Sequence, residues 1–300
     1  MASTGVPTEP EEPADPADHL VWKRTTVDGR TALYGVAGDD MPVLFVHGWA
    51  LGQHSYKAAL KRLVRQGCRV FAPALPGFGG TPELPERKLS FAGYAAWLEE
   101  FLDAVHVDEP VLLVGHSFGG GVAVQLAHDF PERVRSLVLV NSIGGSASLA
   151  ARPFWDWGLH FPADVLPLPQ IRRVLPVIME DAVPNVIRSP RALLRVGNLA
   201  RTADLRAELE ELRRRGLPVA VLWGRQDQII PRESFDALCA AIGAQGREVE
   251  GNHNWMLADP DTFGEVMTNS VNVAKLARAW EAGDDQAAPR RRRLRSIRQS

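Results

Sequence analysis

The strongest chemical signal in the chain is a serine held between glycines, Gly115-His116-Ser117-Phe118-Gly119. A serine hydroxyl is a weak nucleophile until a base takes its proton. That base, a histidine, in turn needs a carboxylate to fix its tautomer and stabilise the imidazolium. Eight histidines are present. His19 lies in an acidic tail, and His106 and His128 close amphipathic stretches. His116 adjoins the serine, where a tight turn aims it elsewhere. His253, in Gly-Asn-His-Asn-Trp, follows the last strand-like run (247–250) and precedes the final helical stretch, which assigns it to the carboxyl edge of a sheet. The acid follows from the same logic. The apolar run 218–223 leads into Gly-Arg-Gln-Asp and puts Asp227 in the next loop, whereas the competing position, after the run 134–141, offers Asn141 and Ser142 and no acid. The chain order is then Ser117, Asp227, His253, the order that a strand–turn–helix nucleophile elbow demands. The remaining requirement is a pair of N–H groups for a developing oxyanion. The run 42–47 ends in His47-Gly48-Trp49, so the backbone N–H groups of Trp49 and Phe118 are the candidate donors, with His47 holding their loop.

These groups meet only if particular elements carry them. A nucleophile elbow needs a strand before it, a helix after it and small residues two positions either side. Pro-Val-Leu-Leu-Val precedes Gly115, and the stretch 120–130 reads as helix. Apolar runs of strand length fall at 42–47, 69–74, 110–115, 134–141 and 218–223, four of them nearly continuous in Val, Leu and Ile. Such runs suit parallel strands buried on both faces. Between them, Phe91, Tyr94, Leu98, Phe101 and Val105 keep one helical face apolar, as do Phe263, Val266, Met267, Val271 and Ala274 near the end. The alternation specifies an α/β fold with a doubly wound, mostly parallel sheet. It breaks once, over 144–200, a stretch rich in proline that contains Phe154, Trp155, Trp157 and Phe161. We read 144–200 as a mostly helical cap over one end of a core made of 20–143 and 201–281, with those four aromatics as its substrate-binding residues. The acidic, proline-rich 1–19 and the arginine-rich 282–300 read as disordered tails.

Composition narrows the classes further. With 34 basic and 36 acidic residues among 300, the chain has a formal charge of −2 and no overall nucleic-acid footprint. Two cysteines exclude a disulfide-dense scaffold and a multi-cysteine zinc site. No apolar run reaches membrane-spanning length, so no stable membrane insertion is expected. The acidic start does not resemble a secretory signal, which makes the cytoplasm the default compartment. A small-molecule substrate is the expected partner. Neither a metal nor an organic cofactor is expected, because the three side chains and the backbone donors suffice.

Residues 20 to 281 resemble the α/β-hydrolase superfamily, in its serine-nucleophile, helical-cap branch. The matching pieces are His47-Gly48-Trp49, Ala74-Leu75-Pro76-Gly77-Phe78-Gly79, the elbow with a second glycine at Gly120, Gly224-Arg225-Gln226-Asp227 and Gly251-Asn252-His253. The resemblance implies a cap inserted after the sixth strand and hydrolysis of an ester of a small or medium apolar acid through an acyl-enzyme. Relatives with this triad and cap also hydrolyse carbon–carbon bonds of diketone-like substrates. Arg152, Arg172, Arg173 and Arg188 are available here to clamp the carboxylate such a substrate would carry. A ligand sensor on the same scaffold is the third alternative. Two families are disfavoured by the serine: haloalkane dehalogenases and epoxide hydrolases use aspartate. Ala50, where cofactor-free haloperoxidases typically have proline in His-Gly-x-Pro, lowers that reading too. Ala74, where many relatives carry aspartate, reads as a structural difference.

Overall fold

The computed structural model describes residues 15–145 and 171–287. Eight strands form one sheet: β1 (Val21–Val27), β2 (Arg30–Ala37), β3 (Met41–Val46), β4 (Cys68–Pro73), β5 (Val111–His116), β6 (Val134–Val140), β7 (Val219–Gly224) and β8 (Arg247–Val249). Their spatial order is β1-β2-β4-β3-β5-β6-β7-β8, antiparallel at β1–β2 and β2–β4 and parallel from β4 onward. The parallel strands need crossovers, supplied by α1 (Lys57–Arg65), α2 (Phe91–Ala104) and α3 (Phe118–Asp129), then α4 (Ile171–Arg188), α5 (Pro190–Arg201) and α6 (Arg206–Arg214), and finally α7 (Arg232–Ile242). The short α8 (Trp255–Ala258) and the long α9 (Pro260–Ala287) follow β8.

Both faces of the central strands are buried. Leu44, Val46 and Leu113 pack with α2, α3, α6 and α7, while Val43, Phe45, Leu112 and Val114 pack with α1 and α9. Alternate side chains of one strand thus enter opposite layers, which is why these strands are written as unbroken apolar runs. From β3 the chain steps to β4 on one side and then to β5 on the other. The carboxyl ends of β3 and β5 therefore flank the switch point of the sheet, where this architecture opens a crevice.

Three features depart from the sequence reading. The hairpin β1–β2 has no apolar run to reveal it, because all but one residue of β1 are exposed or half-buried at the sheet edge. Its turn, Asp28-Gly29, has positive φ at both residues, as a tight hairpin requires. The core begins before residue 20: Pro16–His19 form a 3-10 turn, Asp15 accepts the N–H of Ala17, and Ala17 is fully buried. At the other end, α9 continues to Ala287, past the boundary expected at 281. Of the stretch 144–200 read as a cap, the described residues after β6 form α4 and α5. Phe154, Trp155, Trp157 and Phe161 lie outside the described residues.

Candidate active site

Ser117 joins β5 to α3 in a conformation with φ 54° and ψ −119°, a region that non-glycine residues rarely occupy. The turn is pinned on both sides. The Ser117 N–H donates to the Val140 carbonyl at 3.0 Å, and its own carbonyl accepts from Gly120 N–H at 3.0 Å. Gly119 is required by contact: a Cβ there would stand 2.3 Å from the Val46 carbonyl oxygen. The strain and the close packing present the hydroxyl at the sheet edge, with the amino end of α3 behind it.

His253 lies in the loop between β8 and α8. Its Nε2 is 2.9 Å from Ser117 Oγ, and its Nδ1 is 2.8 Å from Asp227 Oδ2. Asp227, in the loop after β7, is satisfied on both oxygens. Oδ1 accepts the N–H groups of Ile229 and Ile230 at 2.8 Å each, and Oδ2 accepts from His253 and from Asn141 Nδ2. Four donors thus converge on one buried carboxylate, whose oxygens act as acceptors. With Oδ2 accepting from Nδ1, the proton of a neutral His253 sits on Nδ1 and leaves Nε2 free to accept the serine proton. The structure therefore brings Ser117, His253 and Asp227, three buried side chains from three separate loops, into one hydrogen-bonded line.

Several neighbours make contacts that the sequence did not specify. Asn141, just past β6, donates to Asp227 and accepts from Trp255 Nε1 at 2.8 Å. His116 turns away from the nucleophile, as expected, but its ring is not idle. Nε2 donates to the His253 carbonyl at 3.0 Å, and Nδ1 accepts from the Tyr56 hydroxyl at 2.7 Å. That hydroxyl accepts in turn from Gly48 N–H at 3.1 Å. This assignment uses one proton per bond and requires a neutral imidazole. Burial, with smaller contributions from the neighbouring histidines, holds His116 down to about 3. His47 is likewise neutral, its pKa lowered by burial to about 4. It receives Leu75 N–H on Nε2 and donates from Nδ1 to the Gly48 carbonyl, each at 2.8 Å, and so holds the loop after β3. These partners come from distant elements, so no local spacing announced them.

Trp49 and Ser117 line one cleft, together with Leu51, His253, Ala200 of α5 and Ile229. The Trp49 backbone N–H has no hydrogen-bond acceptor among the described residues. Phe118 occupies the first helical position of α3, where a backbone N–H has no partner within the helix. Its ring is fully buried between Phe91 and Tyr94. Of the four arginines considered as a carboxylate clamp, Arg188 is exposed on α4, Arg152 lies outside the described residues, and the side chains of Arg172 and Arg173 are not described. Burial pushes the Cys68 thiol up to about 12 and that of Cys239 above its ordinary value, which leaves neither as a thiolate. Among the described residues no group of three His, Cys, Asp or Glu could hold a metal ion, and no helix is long and apolar enough to cross a membrane.

The crevice at the sheet's switch point, the strained serine and the cap after β6 define an α/β hydrolase. Residues 43–266 match the model of the alpha/beta hydrolase family, and the chain belongs to that family. It is 31% identical over 229 residues to a pimeloyl-[acyl-carrier protein] methyl ester esterase of Aromatoleum aromaticum, covering 67% of this chain and 85% of that one. It is 29% identical over 262 residues to a 2-hydroxymuconate semialdehyde hydrolase of Pseudomonas putida, covering 79% and 89%. A crystal structure of a bacterial membrane phospholipase A superposes with a TM-score of 0.71 at 21% identity, over 87% of this chain and 88% of the other.

Proposed function

We propose that the protein is a serine hydrolase of carboxylic esters with a small or medium apolar acyl group. The observation that carries this reading is the unbroken line from Ser117 Oγ through His253 to Asp227, with contacts of 2.9 and 2.8 Å. In this reading Ser117 Oγ attacks the ester carbonyl while His253 Nε2 takes its proton. Asp227 stabilises the imidazolium so formed without becoming protonated. The N–H groups of Trp49 and Phe118 receive the negative charge of the tetrahedral intermediate. His253 then delivers its proton to the leaving alkoxide, and an acyl-enzyme remains on Ser117. A water, deprotonated by His253, attacks that ester, and collapse of the second intermediate frees the acid and restores the serine.

The apolar described wall, Leu51, Ala200 and Ile229, supports an apolar acyl group over a substrate that needs a charged clamp. The methyl ester esterase named above is consistent with an ester, and the semialdehyde hydrolase keeps carbon–carbon hydrolysis as the second reading. We assign the rest of the wall to the cap aromatics Phe154, Trp155, Trp157 and Phe161. The test combines a fluorophosphonate probe with p-nitrophenyl esters of increasing chain length. Labelling should occur at Ser117 alone, and Ser117→Ala should lower turnover by about 10⁴-fold or more with the fold retained. Labelling at another residue, or an active alanine variant, would sink the proposal. Turnover of a vinylogous diketone in preference to every ester would move the assignment to the second reading.

A further inference from the structure

Helix α1 is entered through the 3-10 turn Gln53–Tyr56, and the residue in the capping position is Gly52, which has no side chain to offer. Buried N–H groups at a helix start need an acceptor from somewhere. Here it comes from the cap, 129 residues away in sequence. Asp181 of α4 accepts the Gly52 N–H at 3.1 Å, the Ser55 N–H at 2.9 Å and the Ser55 hydroxyl at 2.5 Å, all on Oδ2. The His54 imidazole stands 3.7 Å from its other oxygen. Burial pushes the Asp181 carboxyl up, but the nearby His54 imidazole and the hydrogen bonds from Ser55 outweigh it and leave the pKa below the ordinary value. The absent side chain leaves the carboxylate room: a Cβ on Gly52 would lie a tight 3.1 Å from its atoms.

One helical turn on, Asn185 makes the second tie. Its Nδ2 donates to the carbonyls of Ala50 at 2.9 Å and Leu51 at 3.3 Å, and its Oδ1 accepts Gly79 N–H at 2.9 Å. The opposite amide orientation would face two carbonyls with an oxygen and an N–H with an amine, so all three bonds select this one. Both side chains are buried. Ala50 has φ 64°, a conformation a non-glycine residue keeps only when its surroundings impose it. A third tie joins the Trp49 indole N–H to the Leu193 carbonyl of α5 at 2.8 Å. The cap thus grips the loop at the Trp49 side chain and at the three residues that follow it.

We propose that Asp181 and Asn185 are positioning residues: they hold the strained loop 48–52 from the cap so that the Trp49 N–H faces the developing oxyanion. The inference rests on the serine-hydrolase reading above. Neither side chain meets a reacting atom. Simple anchoring of the cap would use the same bonds, but its loss would alter substrate affinity and melting temperature, not transition-state stabilisation.

The experiment uses the full chain, wild type beside Asn185→Leu, which keeps the shape and loses all three bonds, and Asp181→Asn. kcat and KM are measured on p-nitrophenyl butyrate. A parallel series measures inhibition by an aliphatic trifluoromethyl ketone, whose serine hemiketal places an oxyanion at the same point. Each variant should lose about tenfold or more in kcat with KM changed by less than about threefold. The ketone's Ki should rise by the factor by which kcat/KM falls. Should Asn185→Leu fail to fold, Asn185→Asp serves instead, since it keeps the acceptor for Gly79 and turns a carboxylate oxygen toward the two carbonyls. A rise in KM at constant kcat, or a fall in kcat with unchanged Ki, overturns the positioning role while leaving the esterase reading intact. A wild type that neither hydrolyses the ester nor is labelled at Ser117 by the fluorophosphonate overturns both.

Discussion

At the scale of single residues, the surroundings of Asp227 make a sharp demand on its chemistry. In Asp227→Asn, the N–H groups of Ile229 and Ile230 would keep the remaining oxygen at the Oδ1 position and turn the new NH₂ toward His253. His253 Nδ1 would then have to accept, so its proton would sit on Nε2, facing Ser117, where it cannot take the hydroxyl proton. Asn141 cannot rescue this by rotating its amide, because Trp255 Nε1–H holds its oxygen. Turnover at neutral pH should therefore fall by about 10⁴-fold with the fold retained. Asn141 and the new amide would face each other as two donors, which lowers the melting temperature. A variant within tenfold of wild type would locate the orienting acid elsewhere. The residues of this line were legible because each ends a strand-like run, and three such ends define one sheet edge. Asn141 was legible only as a missing acid; its amide acquires a role through contacts with residues 86 and 114 positions away.

At the scale of elements, periodicity revealed what is buried on a regular face and missed what is held by polar contacts. The parallel strands and α2 appear as apolar runs and stripes. β1 does not, since an exposed edge strand needs no such run. The functional side of α4 was equally hidden: Asp181 and Asn185 lie four apart on a helix containing Pro176 and Pro184, and in sequence they look like solvent-facing polar residues. The cap elements carry a further expectation. The described part of the cap gives the cleft only Ala200, so the length of acyl chain accepted should be set mainly by the aromatics of 144–200. Alanine replacement of Phe154, Trp155, Trp157 and Phe161 one at a time should, for at least one of them, shift the preferred p-nitrophenyl ester chain length more than it lowers the melting temperature. Four variants with the wild-type profile, or with stability losses alone, would remove these residues from the substrate wall.

At the scale of the whole molecule, the same buried network ties stability to pH. His47 and His116 are fully or almost fully buried and must stay neutral to keep their bonds to Gly48, Leu75, Tyr56 and His253. Their folded pKa values, about 4 and about 3, lie below the ordinary 6.5. Above pH 6.5 both are neutral in the folded and the unfolded chain, and they add no pH dependence. As pH falls below 6.5 the unfolded chain binds two protons that the folded one refuses, so stability declines until the folded values are reached. Around pH 5 these two histidines alone should give a slope of about 2.7 kcal/mol per pH unit in the unfolding free energy. That loss sets in well above the range in which ordinary carboxylates titrate. Urea unfolding followed by circular dichroism at half-unit steps from pH 4.5 to 8 measures it. His47→Gln supplies an acceptor and a donor without a titrating group, and it should lower the slope by about one proton whatever it costs in absolute stability at pH 8. A variant as steep as wild type through this window would mean that the proton uptake belongs to other groups and that His47 is not held neutral by its burial.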